Sequence, residues 1–305
     1  MRIFLTGATG YIGSAVLDAA LRARHTVTAL VRDPQQAQAL AQRDVAIVKA
    51  DLAKPDAYAA AAQQCDAIVH TAMDRRRGPE LDRLAIETLL KAANRRIADG
   101  HSACVIYTSG TWVLGDTGDV VAEDAPVAPT PLVAWRPAHE AIVLRRSRGR
   151  RVRTIVLRPG NVYGGARGMV GDMLRESRRG IIRVVGSGRN RWSCVYRGDL
   201  ADLYLRLLSD ADATGVFHAT DGSEERVIDI VEAIADHMPS KPDVRLVPLA
   251  EARTTMGPYA DALALDQRVA SPRARALGWT PVLKGVSGSL TRLFEEFRRG
   301  GEVVA

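Results

Sequence analysis

Cysteine is scarce. The 305 residues hold three, Cys65, Cys104 and Cys194, too scattered for a disulfide framework or a zinc site. That usage fits a reducing compartment, and a cytoplasmic location is expected. No apolar run approaches the roughly 18–20 residues that cross a bilayer. The opening Met1-Arg2-Ile3-Phe4-Leu5 runs straight into glycines and lacks an apolar segment with a cleavage site, so neither a span nor an export signal is expected. Aromatics are only 5% of the chain, and none interleaves with the arginine clusters at 75–77, 145–153 and 178–179 as a base-stacking platform would. The net charge of +7 is therefore read as a solvated arginine surface, and no nucleic-acid partner is expected. HExxH, paired cysteines, GxSxG and a GK[ST] loop are all missing, which argues against a metal site, a hydrolase nucleophile and an ATP-type P-loop.

What is present has the composition of a packed globular chain, 47% hydrophobic and 25% charged, which excludes disorder and a fibrous repeat. Short apolar runs at 2–6, 26–31, 45–50, 66–71, 103–108 and 152–157 read as strands buried on both faces. Between them, helices are expected near 11–24, 34–43, 55–64, 80–99 and 131–148. This alternation predicts right-handed βαβ crossovers, hence an α/β fold with a Rossmann-type doubly wound parallel sheet. The Gly-, Asp- and Pro-rich segment 115–131 is expected to be a long functional loop. After residue 160 the alternation breaks down. Helices are expected at 168–179, 199–209, 226–238, 271–277 and 284–299, and strands at 181–185, 192–196, 215–219 and 244–248. The expected organisation is a dinucleotide-binding domain over 1–160 and a smaller α+β substrate lobe over 161–305, interleaved and not folding independently.

The chemistry-bearing motif is Thr6-Gly7-Ala8-Thr9-Gly10-Tyr11-Ile12-Gly13, squeezed between the first strand and the first helix. Gly7 permits a tight turn, Gly10 lets backbone approach a pyrophosphate, and Gly13 lets helix and strand pack. Amide groups near Gly10, Tyr11 and Ile12, with the helix dipole, would face the phosphates.

With this loop, Leu30-Val31-Arg32-Asp33, Asp51-Leu52, His70-Thr71-Ala72, Tyr107-Thr108-Ser109, Arg158-Pro159-Gly160-Asn161-Val162-Tyr163-Gly164 and Leu277-Gly278-Trp279 complete an ordered set. The chain resembles the extended short-chain dehydrogenase/reductase superfamily, of the NAD(P)-dependent epimerase/dehydratase type. The resemblance implies a cofactor held by Gly7, Thr9, Gly10, Tyr11, Ile12 and Gly13. It places Asp51 and Leu52 beside the adenine, Thr71, Ala72 and Met73 along the cofactor's path, and Pro159, Gly160, Asn161 and Val162 at the nicotinamide carboxamide. Arg32, ending the second strand, would pair with a 2′-phosphate, which favours NADP(H) over NAD(H). Asp33 is the rival, since an inward carboxylate there would suit NAD.

The family's acid–base tyrosine and its lysine are missing. Anchoring on Glu140 puts Arg136 at the lysine position and Leu132 at the tyrosine position. Residues 116–150 hold no tyrosine at all. Arg136 can still bond a ribose but moves no proton. The third catalytic position falls on Gly110, flanked by Ser109 and Thr111, either of which could serve. His139 shares a helix face with Arg136, and histidine is the residue type most often used for proton transfer. Tyr163, Tyr196 and His218 are weaker substitutes, and Trp135 and Trp192 read as packing. The expected function is an NADP(H)-dependent oxidoreductase or epimerase acting on a small carbonyl or alcohol through a non-standard site, with a catalytically silent NADP(H) sensor as the alternative. A homodimer through helices 80–99 and 131–148 is compatible with the resemblance, although the arginines at 75–77 and 145–148 would crowd like charge there.

Overall fold

A computed structural model describes residues 1–74, 76–145 and 152–302. Arg75 and residues 146–151, most of one predicted arginine cluster, lie outside the described residues.

The first half runs β1 (Arg2–Thr6), α1 (Tyr11–Arg22), β2 (Thr26–Val31), α2 (Pro34–Ala41), β3 (Ala46–Lys49), α3 (Ala59–Gln63), β4 (Ala67–His70), α4 (Gly78–Ala98), β5 (Ala103–Thr108), β6 (Val120–Val121), α5 (Arg136–Arg145) and β7 (Val152–Pro159). The rest is β8 (Asn161–Tyr163), α6 (Gly168–Ser177), β9 (Ile181–Val185), β10 (Cys194–Tyr196), α7 (Arg197–Ser209), β11 (Gly215–Ala219), α8 (Val227–His237), β12 (Asp243–Val247), α9 (Leu249–Met256), α10 (Tyr259–Ala264), β13 (Arg268–Val269), α11 (Pro272–Ala276) and α12 (Leu290–Glu302). Seven strands form one sheet in the order β11-β7-β5-β4-β1-β2-β3. The pairs from β3 through β7 are parallel, the Rossmann-like α/β arrangement that the strand–helix alternation predicted.

The chain divides into two compact units. One comprises Met1–Ser109, Trp135–Arg158 and Ala201–Phe217; the other comprises Gly110–Ala134, Pro159–Leu200 and His218–Ala305. One crossing lies at Arg158 and Pro159. The first unit's core gathers Phe4, Ile68, Leu89, Leu90, Val105 and Val156. The long helix α4 supplies Leu81, Ala85, Ile86, Leu89 and Leu90 at helical spacing, and fully burying each leucine stabilises by roughly 1.5–3 kcal/mol. The second unit's core gathers Tyr163, Leu174, Trp192, Ile230, Val286 and Phe297.

Several expected elements differ for identifiable reasons. β3 is not buried on both faces, because it is the sheet's edge. The helix expected over 131–148 is instead a 3₁₀ turn at Pro131–Val133 followed by α5. Pro137 has no N–H and fits only a first turn, so a continuous helix cannot pass through it. The helix expected from 284 starts at Leu290, after Gly285 in a left-handed conformation (φ +82°). Segment 115–131 carries the two-residue β6, paired with β13. Helices α9 and α10 were not anticipated; Gly257-Pro258 cuts that region into pieces too short to show a period. Strand 215–219, assigned to the second lobe from sequence, is the seventh strand of the main sheet. Among the described residues no helix is long and apolar enough to cross a membrane.

Candidate active site

The turn between β1 and α1 is built from backbone at close quarters. Gly7 is left-handed (φ +74°), and a Cβ there would lie 2.7 Å from both Ala72 N and Thr71 Oγ1. A Cβ on Gly13 would lie 2.0 Å from Gly7 O. Gly10 N donates to Gly7 O at 2.8 Å and closes the turn. Thr71 Oγ1 donates to Thr6 O (2.8 Å) and Ala72 N to Thr6 Oγ1 (3.3 Å), locking the ends of β1 and β4 together. Thr9, Gly10, Tyr11 and Ile12 are half-buried at the mouth of this turn. Gly10 is the N-cap of α1; no side chain caps that helix and no acid sits in its first turn. A dipole end so arranged suits an anion, and the residues present therefore fit the diphosphate of a nicotinamide dinucleotide.

At the far edge, Arg32 follows β2 with 72% of its side chain exposed, its Nη1 3.5 Å from both Asp51 Oδ2 and Asp74 Oδ2. Asp33, the rival, is engaged: its Oδ1 accepts from Gln35 N (2.8 Å) and Gln36 N (2.9 Å), capping α2 ahead of Pro34. Asp51 Oδ1 accepts from Ala53 N at 2.9 Å, a local turn rather than a helix cap, and Leu52 O accepts from the Tyr58 hydroxyl.

On the other flank, α5 brings Arg136 to the end of β5. Its Nη1 donates to Thr108 O (3.0 Å) and Tyr107 Oη (3.3 Å), and its Nη2 to the exposed Met73 Sδ (3.3 Å). The guanidinium also lies 4.6 Å from the centroid of the Trp135 ring. Tyr107 in turn donates to Asp82 Oδ2 (2.9 Å), a buried carboxylate of α4 that no sequence motif singled out. His139 Nδ1 lies 2.7 Å from the same oxygen, and His70 Nε2 3.4 Å from Asp82 Oδ1. His70 Nδ1 is 2.6 Å from Thr6 Oγ1, which returns the network to the glycine turn. Burial works to raise the Asp82 pKa, but the bonds from His139 and His70 and the charge of Arg136 outweigh it and hold this carboxyl well below the usual range. Burial pushes Tyr107 far above its ordinary value, so it stays a neutral donor. His139 is thus a buried partner of Asp82, edge-on to Trp135 at 4.9 Å.

Ser109 is also committed. Its Oγ donates to Glu140 Oε1 at 2.5 Å, and Glu140 is clamped by Arg158 through Nε (3.0 Å) and Nη2 (2.5 Å), all three contacts being buried. The residue that served only to align α5 is therefore the centre of a buried ion pair. Among the residues of the first unit, the structure brings Arg136 and His139 into one network and Ser109 into another.

In the second unit, Leu132, which anchoring on Glu140 put at the tyrosine position, packs on Val113, Leu114, Val133 and Val269. Thr111 Oγ1 donates to Gln267 Oε1 (3.2 Å), while Gln267 Nε2 donates to the carbonyls of Thr111 and Gly115. Gly160 N donates to Ala219 O (2.9 Å) and Asn161 N to Ser193 O (2.8 Å). Those two amides are thus spent inside the protein rather than offered to a carboxamide. Pro159 ends β7, and Val162 pairs with Val195 of β10. The Asn161 side chain accepts from Trp112 Nε1 at 3.0 Å. Tyr163 donates to Asp221 and Gly285, and Tyr196 to Glu296 (2.6 Å). Burial raises both phenols' pKa values, with the neighbouring carboxylates adding to it. His218 is buried with Nδ1 3.1 Å from Ala270 O.

Residues 3–219 match the family model described as the NAD dependent epimerase/dehydratase family. The chain belongs to that family. A relative of this epimerase/dehydratase chain, the 3-diazoavenalumate denitrifying reductase of Streptomyces sp, is 30% identical over 301 residues, covering 92% of this chain and 96% of its own. Two solved structures share the fold. The Thermus thermophilus UDP-glucose 4-epimerase complex with NAD has a TM-score of 0.81 at 20% identity, covering 98% of this chain and 99% of that one. The human epimerase family protein SDR39U1 with NADPH has a TM-score of 0.78 at 22% identity, covering 97% and 99%.

Proposed function

We propose that this epimerase/dehydratase-family chain is an NADP(H)-dependent reductase of a small carbonyl compound, working without a side-chain acid. The observation that carries the cofactor half is the division of labour after β2: Asp33 is spent capping α2, which leaves Arg32 exposed as the group facing a 2′-phosphate. Gly7, Gly10 and Gly13 hold the diphosphate at the start of α1. Arg136, anchored on Thr108 O and steadied through Tyr107 by Asp82, takes the lysine's place as the cation beside the ribose. When bound, the dinucleotide supplies a hydride.

The direction follows from what the chain lacks. Oxidising an alcohol needs a base near its hydroxyl, whereas reducing a polarised carbonyl can draw its proton from water. Leu132 and Arg136 supply no base, the Ser109 hydroxyl is spent as a donor to Glu140, and His139 faces Asp82. A relative named a reductase supports the same direction. Those same commitments favour, as a second reading, an NADP(H) sensor with no turnover.

Fluorescence titration of NADPH and NADH tests the cofactor claim. NADPH is expected to bind more tightly, and Arg32→Ala to lose roughly tenfold or more in NADPH affinity with NADH unchanged. NADH binding equally well to both proteins would refute it. NADPH binding without oxidation of the cofactor across a broad carbonyl panel selects the sensor.

A further inference from the structure

Two consecutive residues after β4 reach two different cations, all within the first unit. Asp74 Oδ2 lies 3.5 Å from Arg32 Nη1, and Met73 Sδ lies 3.3 Å from Arg136 Nη2. The segment is pinned at its start, where Thr71 and Ala72 are bonded to Thr6. It is pinned again where Asp74 Oδ1 accepts from Arg76 N and Arg77 N, each at 2.8 Å. From this fixed backbone the Met73 side chain stands out to solvent, 56% exposed and more so than any other methionine. The two ends of the Arg136 fork are held unequally. Nη1 donates to two oxygens, whereas Nη2 donates to a thioether, a weak acceptor that a ribose hydroxyl displaces at little cost. The thiols are shielded by comparison. Cys65, Cys104 and Cys194 are buried, and burial pushes each of their pKa values up, so none presents a thiolate to an oxidant.

We propose that Met73 is an oxidation site for peroxides, and that its sulfoxide loosens the protein's grip on the dinucleotide. The proposal rests on the cofactor reading above, in which Arg136 is the cation beside the ribose. In the step itself a sulfur lone pair attacks one peroxide oxygen, an S–O bond forms and the O–O bond breaks. The proton on the transferred oxygen passes to the departing hydroxide, which leaves as water; sulfur is oxidised and the peroxide reduced. The product carries a polar oxygen where the thioether had none. Methionine's three rotatable bonds let either sulfoxide epimer turn that oxygen onto Nη2. A ribose hydroxyl must then compete with a strong acceptor for the same hydrogens, and cofactor affinity falls. The change is reversible, because methionine sulfoxide reductases return the thioether.

The probe is hydrogen peroxide in graded doses. Oxygen incorporation is located by peptide mass spectrometry, and NADPH is titrated by fluorescence before and after treatment. Met73 is expected to gain oxygen at doses no higher than Met256, which is 44% exposed in the second unit. NADPH affinity should fall roughly five- to tenfold in step with the Met73 sulfoxide, and methionine sulfoxide reductases A and B should restore it. Bound NADPH should slow oxidation at Met73 and leave Met256 unchanged. Two variants separate this site from general damage. Met73→Leu, compared with its own untreated sample, should hold its affinity through the treatment, while Met256→Leu should lose affinity as wild type does. Affinity unchanged by complete Met73 oxidation, a loss that persists in Met73→Leu, or a Met73 that stays reduced while Met256 is oxidised overturns the proposal and leaves the cofactor reading standing. Untreated wild type that never binds NADPH removes that reading and the proposal together.

Discussion

The glycine turn before α1 and the ionic cluster beneath α5 sit in the same unit and are made of opposite materials. The first has almost no side chain; its shape comes from Gly7, Gly10 and Gly13 packed within van der Waals limits against backbone. The second is nearly all side chain, with Asp82, His70, His139, Tyr107 and Arg136 drawn from four different elements. A backbone site tolerates no added atom, whereas a side-chain network tolerates no lost charge. The two should therefore fail in different ways.

The largest effect is expected at Gly13→Ala, where the new methyl must displace Gly7 O. Overpacking of that kind costs about 1–3 kcal/mol, so NADPH affinity should fall by up to about 100-fold in a titration, with the circular dichroism spectrum retained. Binding within twofold of wild type would mean that the turn is not the cofactor's cradle. Next, read on stability rather than on binding, comes Asp82→Asn, which removes the charge that two histidines and the Tyr107 hydroxyl share and is expected to cost about 3 kcal/mol at neutral pH. The pH dependence separates it from the glycine variant. Because the folded-state pKa of Asp82 is depressed, its stabilisation is complete above the ordinary carboxylate value and disappears as pH falls through the folded value. Thermal midpoints measured from neutral pH down to about pH 3 should show wild type and Gly13→Ala losing stability together at the acid end. Asp82→Asn should lose less there, and parallel curves for all three would count against the network. The smallest effect is expected at Ser109→Ala. Glu140 keeps both bonds from Arg158, so turnover should drop less than about threefold. A loss beyond 100-fold would place the Ser109 hydroxyl on the substrate.

The same contrast explains what the sequence discloses. A glycine spacing is local, and its consequence follows from sterics alone, so the turn and the sheet around it were legible residue by residue. In the sequence Arg32 and Asp33 read only as rivals for the ribose, and the cap that Asp33 makes ahead of Pro34 is a local signal left unused. Asp82 was not legible: it lies within an otherwise ordinary helix, and its partners come from β4, β5 and α5. The commitment of Ser109 to Glu140 was hidden for the same reason, because it depends on a strand–helix contact 31 residues apart in sequence. An acidic residue on the apolar face of α4, beside Leu81 and Ala85, was the one available clue.

Leu132 deserves a different kind of consequence. Its side chain belongs to an apolar cluster with Val113, Leu114, Val133 and Val269. Writing tyrosine there would ask that cluster to house a phenol oxygen, while writing lysine at 136 would surrender the fork that grips Thr108 and Tyr107. Leu132→Tyr and Arg136→Lys would therefore each give up contacts that the other does not restore.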